Sequence, residues 1–205
     1  MNPGFLLALE GIDGSGKSTA AEGIVRALRE DGRDVVATRE PTDGPWGQRI
    51  REMARTGETV APEEELRWFL EDRREHVAQV IQPALDAGQV VLTDRYFLST
   101  VAYQGGRGLD WRALLAEAEA EFPLPDLALI FEVGVEKGLA RAAGRGGAAE
   151  PSFEEKGFLE RVATVYAAIV RPWLGRVDGN RAPEAVLAAA LGRIRPAITV
   201  RCERS

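Results

Sequence analysis

Short apolar runs alternate along the chain with longer segments whose apolar residues recur at helical spacing. The runs predict five buried strands, at residues 5–10, 35–38, 90–93 and 127–132, with a short one near 176–178. The helical spacing predicts helices at residues 18–31, from 62 through 80, near 110–121, at about 153–174, and at 183–193. Pro83 is expected to kink or split the second helix, because proline removes a backbone donor and clashes with the preceding turn.

This order of elements predicts an α/β fold. Apolar strands separated by helices are typical of parallel β-α-β units with helices on both faces of the sheet. No internal repeat or domain boundary is evident over residues 1–205, so we expect one domain. A Gly/Ala-rich stretch at 142–149 suits either a surface loop or a mobile lid. Arg141 and Arg145 favour a lid at about 141–152.

Composition narrows the class of protein. Of 205 residues, 45% are apolar and 28% are charged, and the formal net charge is −6. That charge argues against a surface for duplex nucleic acid, although a small anionic ligand needs only a local basic pocket. Cys202 is the single cysteine, so no internal disulfide can form, which fits a reducing compartment. No apolar run approaches the roughly 18 residues that span a bilayer, and no basic leader precedes the first apolar run. We therefore expect a soluble, cytoplasmic protein without a membrane or nucleic-acid partner.

The first predicted strand leads into a phosphate-binding motif. Residues 11–18 read Gly-Ile-Asp-Gly-Ser-Gly-Lys-Ser and fit the Walker A pattern between a strand and a helix. The glycines let successive N–H groups point at phosphate oxygens, Lys17 supplies positive charge to the β- and γ-phosphates, and the Ser18 hydroxyl suits Mg²⁺. The predicted ATP-binding residues are Gly11, Ile12, Asp13, Gly14, Ser15, Gly16, Lys17, Ser18 and Thr19.

Polar residues after the next strands indicate a second ligand. Arg39 follows the second strand and Arg95 the third, and loops at the carboxyl ends of parallel strands converge. Two guanidinium groups beside a phosphate cradle suggest a second phosphate-bearing molecule. Phe69 and Arg73 share one helix face. Taken alone, Phe69 suits the core and Arg73 a solvated pair with Glu71 or Asp72; together they could stack on a base and bond its edge.

At this point the sequence resembles the thymidylate kinase family. The resemblance includes the P-loop with its internal Asp13, the Arg39-Glu40-Pro41 segment and the Phe69-x-x-x-Arg73 helix. Its most specific part is residues 91–104, Val-Leu-Thr-Asp-Arg-Tyr-Phe-Leu-Ser-Thr-Val-Ala-Tyr-Gln, which looks like the family signature. Segment order agrees from about residue 5 to 193. The resemblance implies a P-loop NTPase three-layer sandwich with a five-stranded parallel sheet, a homodimer, and phosphorylation of dTMP to dTDP by Mg-ATP, a step in dTTP synthesis.

The resemblance also implies roles for individual residues. Asp13 would touch the deoxyribose 3′-hydroxyl, Arg39 and Arg95 would hold the monophosphate, and Asp94 would help to place it and the metal. Phe69 would stack on thymine, and Arg73 would bond a thymine carbonyl. The remaining expected substrate contacts are Thr100 and Gln104 at the base edge, Tyr103 under the sugar, and Ser99 within the signature segment.

Two departures from the family pattern affect these roles. Some members carry an arginine within the P-loop, where this chain has Gly14, so the catalytic arginine is expected from the lid, with Arg145 first and Arg141 second. Many members read Arg-Glu-Pro-Gly-Gly-Thr, whereas residues 39–44 here read Arg-Glu-Pro-Thr-Asp-Gly. Lys17, Arg95 and the lid arginines are then the expected catalytic residues.

Transfer between phosphates needs no general base, since the acceptor monophosphate is largely a dianion at neutral pH. We accordingly expect His76, the one histidine, to be an ordinary residue on a helix surface. Three other functions remain open: a kinase for another nucleoside monophosphate or nucleoside, a nucleotide-binding module that has lost transfer activity, and, least in keeping with a short acidic chain, a nucleic-acid motor ATPase.

Overall fold

Five strands form one sheet in which every neighbouring pair is parallel. The computed structural model describes residues 4–143 and 156–203. The strands are β1 (Phe5–Glu10), β2 (Val35–Arg39), β3 (Val90–Asp94), β4 (Leu127–Glu132) and β5 (Leu174–Asp178), in the order β2-β3-β1-β4-β5. The α/β prediction and its five-stranded parallel sheet are confirmed.

Helices connect the strands. The apolar spacing predicted five helical segments, with differences at several ends, but it did not predict the helices at residues 45–56, 97–106 and 135–143. They are α1 (Lys17–Glu30), α2 (Pro45–Thr56), α3 (Pro62–His76), α4 (Gln82–Asp86), α5 (Phe97–Gly106), α6 (Trp111–Glu121), α7 (Val135–Ala143), α8 (Lys156–Ala168) and α9 (Pro183–Glu203). The expected disruption near Pro83 is confirmed as a π-helical turn, Val77–Ile81, that joins α3 to α4. Such wide turns accommodate a break in the regular hydrogen-bond ladder.

Two helix predictions were wrong at their carboxyl ends. The helix expected at about 153–174 ends at Ala168, and its expected start lies outside the described residues. Pro172 disfavours helical backbone at Arg171, so the helix cannot continue to 174, where β5 begins. The last helix continues past residue 193 to Glu203 despite Pro196. Ile194 and Ile198 are buried on it, so the packing of its apolar face outweighs the cost of the internal proline.

The sheet separates two apolar cores. Leu6 and Ala8 of β1 face a core with α2, α3, α5, α6 and α8, whereas Phe5, Leu7 and Leu9 face α1 and α9. This alternation follows from the two-residue period of a strand. The result is the three-layer arrangement, and the carboxyl ends of β1, β2 and β3 lie side by side at one edge of the sheet. Within the described residues, no helix is both long and apolar enough to cross a membrane.

Candidate active site

The P-loop packs against α7 through glycines. Gly11, Gly14 and Gly16 all have positive φ, which L side chains rarely adopt. A Cβ atom on Gly14 would also collide with the carbonyl of Gly138 in α7, and one on Gly138 would lie 2.8 Å from the carbonyl oxygen of Asp13. In this conformation residue 14 therefore cannot carry the arginine found there in some family members.

Lys17 is buried at the start of α1. Its Nζ donates hydrogen bonds to the carbonyl oxygens of Gly11 at 2.9 Å and Ile12 at 3.0 Å. Burial lowers the pKa of Lys17 to about 8, and the positive charge of Arg95 acts in the same direction. A lysine held this close to the loop and to the helix N-terminus is placed to meet an anionic phosphate chain.

Ser18 and Asp94 form a pair suited to Mg²⁺. The Ser18 hydroxyl donates to Asp94 Oδ2 at 2.7 Å. Asp94 Oδ1 is buried and has no hydrogen-bond partner among residues 4–143 and 156–203. A hydroxyl beside a carboxylate with an unused oxygen offers hard oxygen ligands, which Mg²⁺ prefers. The predicted metal residues are thus brought together, from α1 and from the end of β3.

Arg95 connects the P-loop to the second half of the site. Its φ of 73° is positive, which is strained for a residue with a side chain. NH2 of Arg95 donates to Asp13 at 2.7 Å, and NH1 donates to the Ser99 hydroxyl at 3.0 Å. The Tyr103 hydroxyl donates to the other Asp13 oxygen at 3.1 Å. Burial would raise the pKa of Asp13, but Arg95 and Lys17 lower it to about 2, so this carboxylate is ionised at neutral pH.

Arg39 lies at the rim of a large cavity. It pairs with Asp43 at 2.8 Å, and its side chain is 63% exposed. The cavity, of about 1310 Å³, is also lined by Ser18 and Asp94, so these three residues face the same space. The Thr42-Asp43-Gly44 segment, which departs from the family pattern, is held in place by Asp72. The Asp72 carboxylate accepts hydrogen bonds from the backbone N–H and the hydroxyl of Thr42.

Arg73 of α3 and Thr100 and Gln104 of α5 form a buried polar cluster between the two helices, which we call the slot. Arg73 is buried and pairs with Glu40 at 2.6 Å, so its interpretation as a solvated partner of Glu71 or Asp72 is wrong. Its NH2 also donates to the Thr100 hydroxyl at 2.8 Å. Arg73 NH1 and both polar atoms of the buried Gln104 amide have no hydrogen-bond partner among the residues described. The half-buried Phe69 packs against the neighbouring core.

His76 is buried, so its placement on the helix surface was wrong. Nδ1 of His76 lies 3.0 Å from Glu40, and Nε2 lies 2.7 Å from the Thr38 hydroxyl. Burial would raise the pKa of Glu40, but Arg73 and His76 lower it. The end of β2 thereby contributes a carboxylate that holds Arg73 beside the slot.

Glu10 is a further residue that sequence reasoning missed. It ends β1 and is fully buried, and it accepts hydrogen bonds from Ser99, Tyr166 and the backbone of Tyr96. Burial raises its pKa to about 7. A carboxylate that ends an otherwise apolar strand directly before the P-loop was the available signal.

A second cavity, of about 530 Å³, lies on the other side of the P-loop. Gly14–Gly16 and Thr19 line it together with Arg141, Arg181 and Pro183. Arg141 of α7 donates to the carbonyl oxygen of Gly179 at 2.8 Å. Arg141 therefore faces the same side of the loop as this cavity, whereas Arg145 lies outside the described residues, as does most of the predicted lid.

The combination of these features defines a class. This is a P-loop nucleotide-binding protein with a site for a second ligand. It has a Walker A loop after β1, a pair formed by Ser18 of α1 and Asp94 at the end of β3, and the separate polar slot. The family described as thymidylate kinase matches residues 9–190. The chain belongs to the thymidylate kinase family.

Curated relatives agree with this assignment over almost their whole length. Thymidylate kinase of Desulfotalea psychrophila is 44% identical over 177 residues, covering 86% of this chain and 87% of the relative. The enzyme of Xanthomonas campestris pv. campestris is 44% identical over 187 residues, covering 91% and 81%. That of Akkermansia muciniphila is 41% identical over 198 residues, covering 97% and 93%.

Proposed function

We propose that this protein transfers the γ-phosphoryl group of ATP to dTMP and forms dTDP, a step in dTTP synthesis. The observation that carries the proposal is the pair of sites that Asp13 and Arg95 link: the P-loop on one side and the slot between α3 and α5 on the other. Family membership and the names of the relatives support dTMP as the acceptor. A module that only binds nucleotide would not need a second buried site with unpaired hydrogen-bonding atoms.

The reaction needs positioning and charge neutralisation more than covalent chemistry. An oxygen of the dTMP phosphate attacks the γ-phosphorus, and the bond from that phosphorus to the bridging oxygen breaks as ADP leaves. The acceptor, whose second pKa is about 6, is largely a dianion at neutral pH and needs no base. Lys17 neutralises charge on the ATP phosphates. Mg²⁺ held near Ser18 and Asp94 would supply further positive charge to them.

We assign the acceptor to the residues around Arg95 and the slot. Arg95 and Arg39 hold the monophosphate, and Asp13 and Tyr103 border the deoxyribose. Thymine lies against Phe69 with its polar edge toward Arg73, Thr100 and Gln104, and Ser99 positions Arg95. The expected catalytic arginine of the lid is Arg145, and Arg141 lines the cavity that we assign to the nucleoside of ATP. We expect a cytoplasmic homodimer.

Chromatographic analysis of a reaction that contains ATP, Mg²⁺ and dTMP tests the proposal. We expect equal amounts of dTDP and ADP, and no ADP when dTMP is left out. Lys17→Ala is the control and should reduce turnover by at least about 100-fold. ADP formation that does not depend on dTMP would contradict the proposal and would favour an ATPase or a switch.

A further inference from the structure

Glu65 is a buried carboxylate to which neither the P-loop nor the sequence resemblance gives a role. It lies in the first turn of α3 and has no exposed surface. One oxygen pairs with Arg107 at 3.1 Å, but neither makes a well-aligned hydrogen bond to the described residues. Because burying a carboxylate is costly unless it is paired and hydrogen-bonded, an incompletely bonded one points to a function.

Its position is at one end of the slot. Glu65, Phe69 and Arg73 are four residues apart and share one face of α3. Thr100 and Gln104 are also four apart on α5, and Arg73 bonds Thr100. Arg73 meets Thr100 at one point along the two helices. Glu65 meets Arg107, which follows Gln104 by about one turn, at another.

The Gln104 side chain can present either of two opposite groups to a ligand. Its Nε2 donates hydrogen bonds and its Oε1 accepts them. A half-turn of the amide exchanges the positions of these two atoms and so changes which of them faces the ligand. Both atoms are buried without a partner among residues that the structure describes. Burial raises the pKa of Glu65, and Arg107 and the neighbouring Gln104 amide act against this rise. The backbone N–H of Arg107 donates to the backbone carbonyl oxygen of Gln104, and the Arg107 side chain pairs with Glu65, so the amide and the carboxylate lie close together.

We propose that Glu65 is the positioning residue that fixes the orientation of the Gln104 amide and thereby selects bases with an N3–H group. An ionised carboxylate can only accept, so the Nε2 group of Gln104 must turn toward Glu65 and Oε1 must face the slot. The ion pair with Arg107 favours the charged form of that carboxylate. This inference rests on the proposed function.

The fixed amide defines the edge that a base must present. Oε1 of Gln104 requires a donor, and NH1 of Arg73 requires an acceptor. Thymine and uracil present N3–H beside O4, which satisfies both groups. Cytosine presents an unprotonated N3 beside an amino group, so both contacts are reversed. A site built around hydrogen bonds rejects such an analogue far more strongly than an apolar pocket does.

Glu65→Gln tests the proposal in steady-state assays with dTMP, dUMP and dCMP. Glutamine can donate or accept, so it no longer fixes the Gln104 amide. We expect the ratio of kcat/KM for dTMP to that for dCMP to fall by about tenfold or more, with no change in KM for ATP. The ratio for dTMP over dUMP should stay unchanged, since both bases carry N3–H. Glu65→Asp keeps the charge but withdraws the carboxylate by one methylene, and should lower the dTMP to dCMP ratio in the same direction.

Two further variants separate positioning from a structural role. Asp72→Asn removes another buried carboxylate of α3, one that bonds Thr42, and should leave the dTMP to dCMP ratio unchanged. In a Gln104→Leu background there is no amide to orient, so adding Glu65→Gln should have no further effect on that ratio.

Unchanged ratios in both Glu65 variants would overturn the proposal, even if their melting temperatures fall. Both kcat/KM values come from the same preparation, so the ratio does not depend on the fraction of folded enzyme. A wild-type protein that does not favour dTMP over dCMP would overturn the proposed function and this inference together. That result can be distinguished from a failure of the Glu65 proposal alone, because it would be seen in the wild-type protein before any substitution is made.

Discussion

At the scale of single residues, a relay of buried polar contacts runs from β2 to α5. The Thr38 hydroxyl bonds His76, His76 bonds Glu40, and Glu40 accepts two hydrogen bonds from Arg73. Arg73 in turn reaches Thr100. Since a buried guanidinium keeps its position only while its partner keeps its own, His76 should affect how Arg73 meets the base.

His76→Phe preserves an aromatic ring in this space but removes its hydrogen bond to Glu40. We expect KM for dTMP to rise about tenfold while KM for ATP stays near the wild-type value, because the relay ends at Arg73 and Thr100 and includes no residue of the P-loop. His76→Asn places an amide nitrogen near the position of Nδ1 and should recover part of the loss. Steady-state kinetics with each substrate varied in turn makes the comparison. Equal increases in both KM values would mean that His76 supports the fold in general.

Glu10 should make stability depend on pH. Its pKa is about 7 in the folded protein against 4.5 when unperturbed, so between these values the folded state holds a proton that the unfolded chain releases. The free energy of unfolding therefore decreases as pH rises from 4.5 to 7, by on the order of 3 kcal/mol from this group.

Urea denaturation at pH 5 and pH 8 can measure this contribution. The wild-type protein should lose more stability between these values than Glu10→Gln, which has no carboxyl group to titrate. The absolute stabilities will also differ, because glutamine cannot accept all the hydrogen bonds that Glu10 accepts. The same change with pH in both proteins would show that Glu10 is ionised throughout.

At the scale of elements, the backbone of α7 packs directly against the backbone of the P-loop, with no side chain between them at Gly14 and Gly138. Gly138→Ala would place a methyl group 2.8 Å from the Asp13 carbonyl oxygen, so α7 or the loop must move. We expect kcat/KM for ATP to fall by about tenfold, with a smaller change for dTMP. Gly134→Ala is the matched control, since a Cβ atom there meets nothing within 4 Å. Similar kinetics for the two variants would contradict the idea that close packing of α7 positions the P-loop.

The two lid arginines should differ in their kinetic effect. Arg145→Ala is expected to lower kcat by 10³-fold or thereabouts with little change in KM for ATP, as for a contact made in the transition state. Arg141→Ala removes the hydrogen bond to Gly179 beside the second cavity and should mainly raise KM for ATP. The two variants are compared by varying ATP at saturating dTMP. A loss of kcat in Arg141→Ala alone would move the catalytic role to Arg141.

The central strands β1, β3 and β4 were predictable because they are buried on both faces of the sheet and are largely apolar. The edge strands β2 and β5 are partly exposed, and only residues 176–178 of β5 were expected. By contrast, α5 is buried on nearly every side, so it has no amphipathic period, and only the family signature marked its residues. The partner of His76 lies 36 residues away, a contact that helical spacing cannot reveal. Glu65 was missed for the same reason, since its role depends on α5.

At the scale of the whole molecule, the strand order brings the two halves of the site together. β1 lies between β3 and β4 at the centre of the sheet, so the P-loop opens beside Asp94 and Arg95 at the end of β3. Helices α3 and α5 belong to the core on one face of the sheet, and α1 to the core on the other. On the proposed assignment, the phosphates would meet at the carboxyl edge of the sheet, and the base would enter the helical layer above it.

In this arrangement, the choice of base depends on the slot and not on the P-loop. Phe69 can stack on any base, so selection must come from the polar edge and from space for the 5-methyl group. A missing methyl group costs about 1–3 kcal/mol, or roughly 10–200-fold, whereas a mismatched hydrogen-bonding edge can cost 10⁴-fold or more.

A coupled assay of ATP consumption across deoxynucleoside monophosphates measures this selection of the base. We predict the highest kcat/KM for dTMP, a lower but measurable value for dUMP, and almost no turnover with dCMP, dAMP or dGMP. If dCMP or dGMP were the best substrate, the assignment of the slot to thymine would be wrong, although the assignment of the P-loop to ATP would stand.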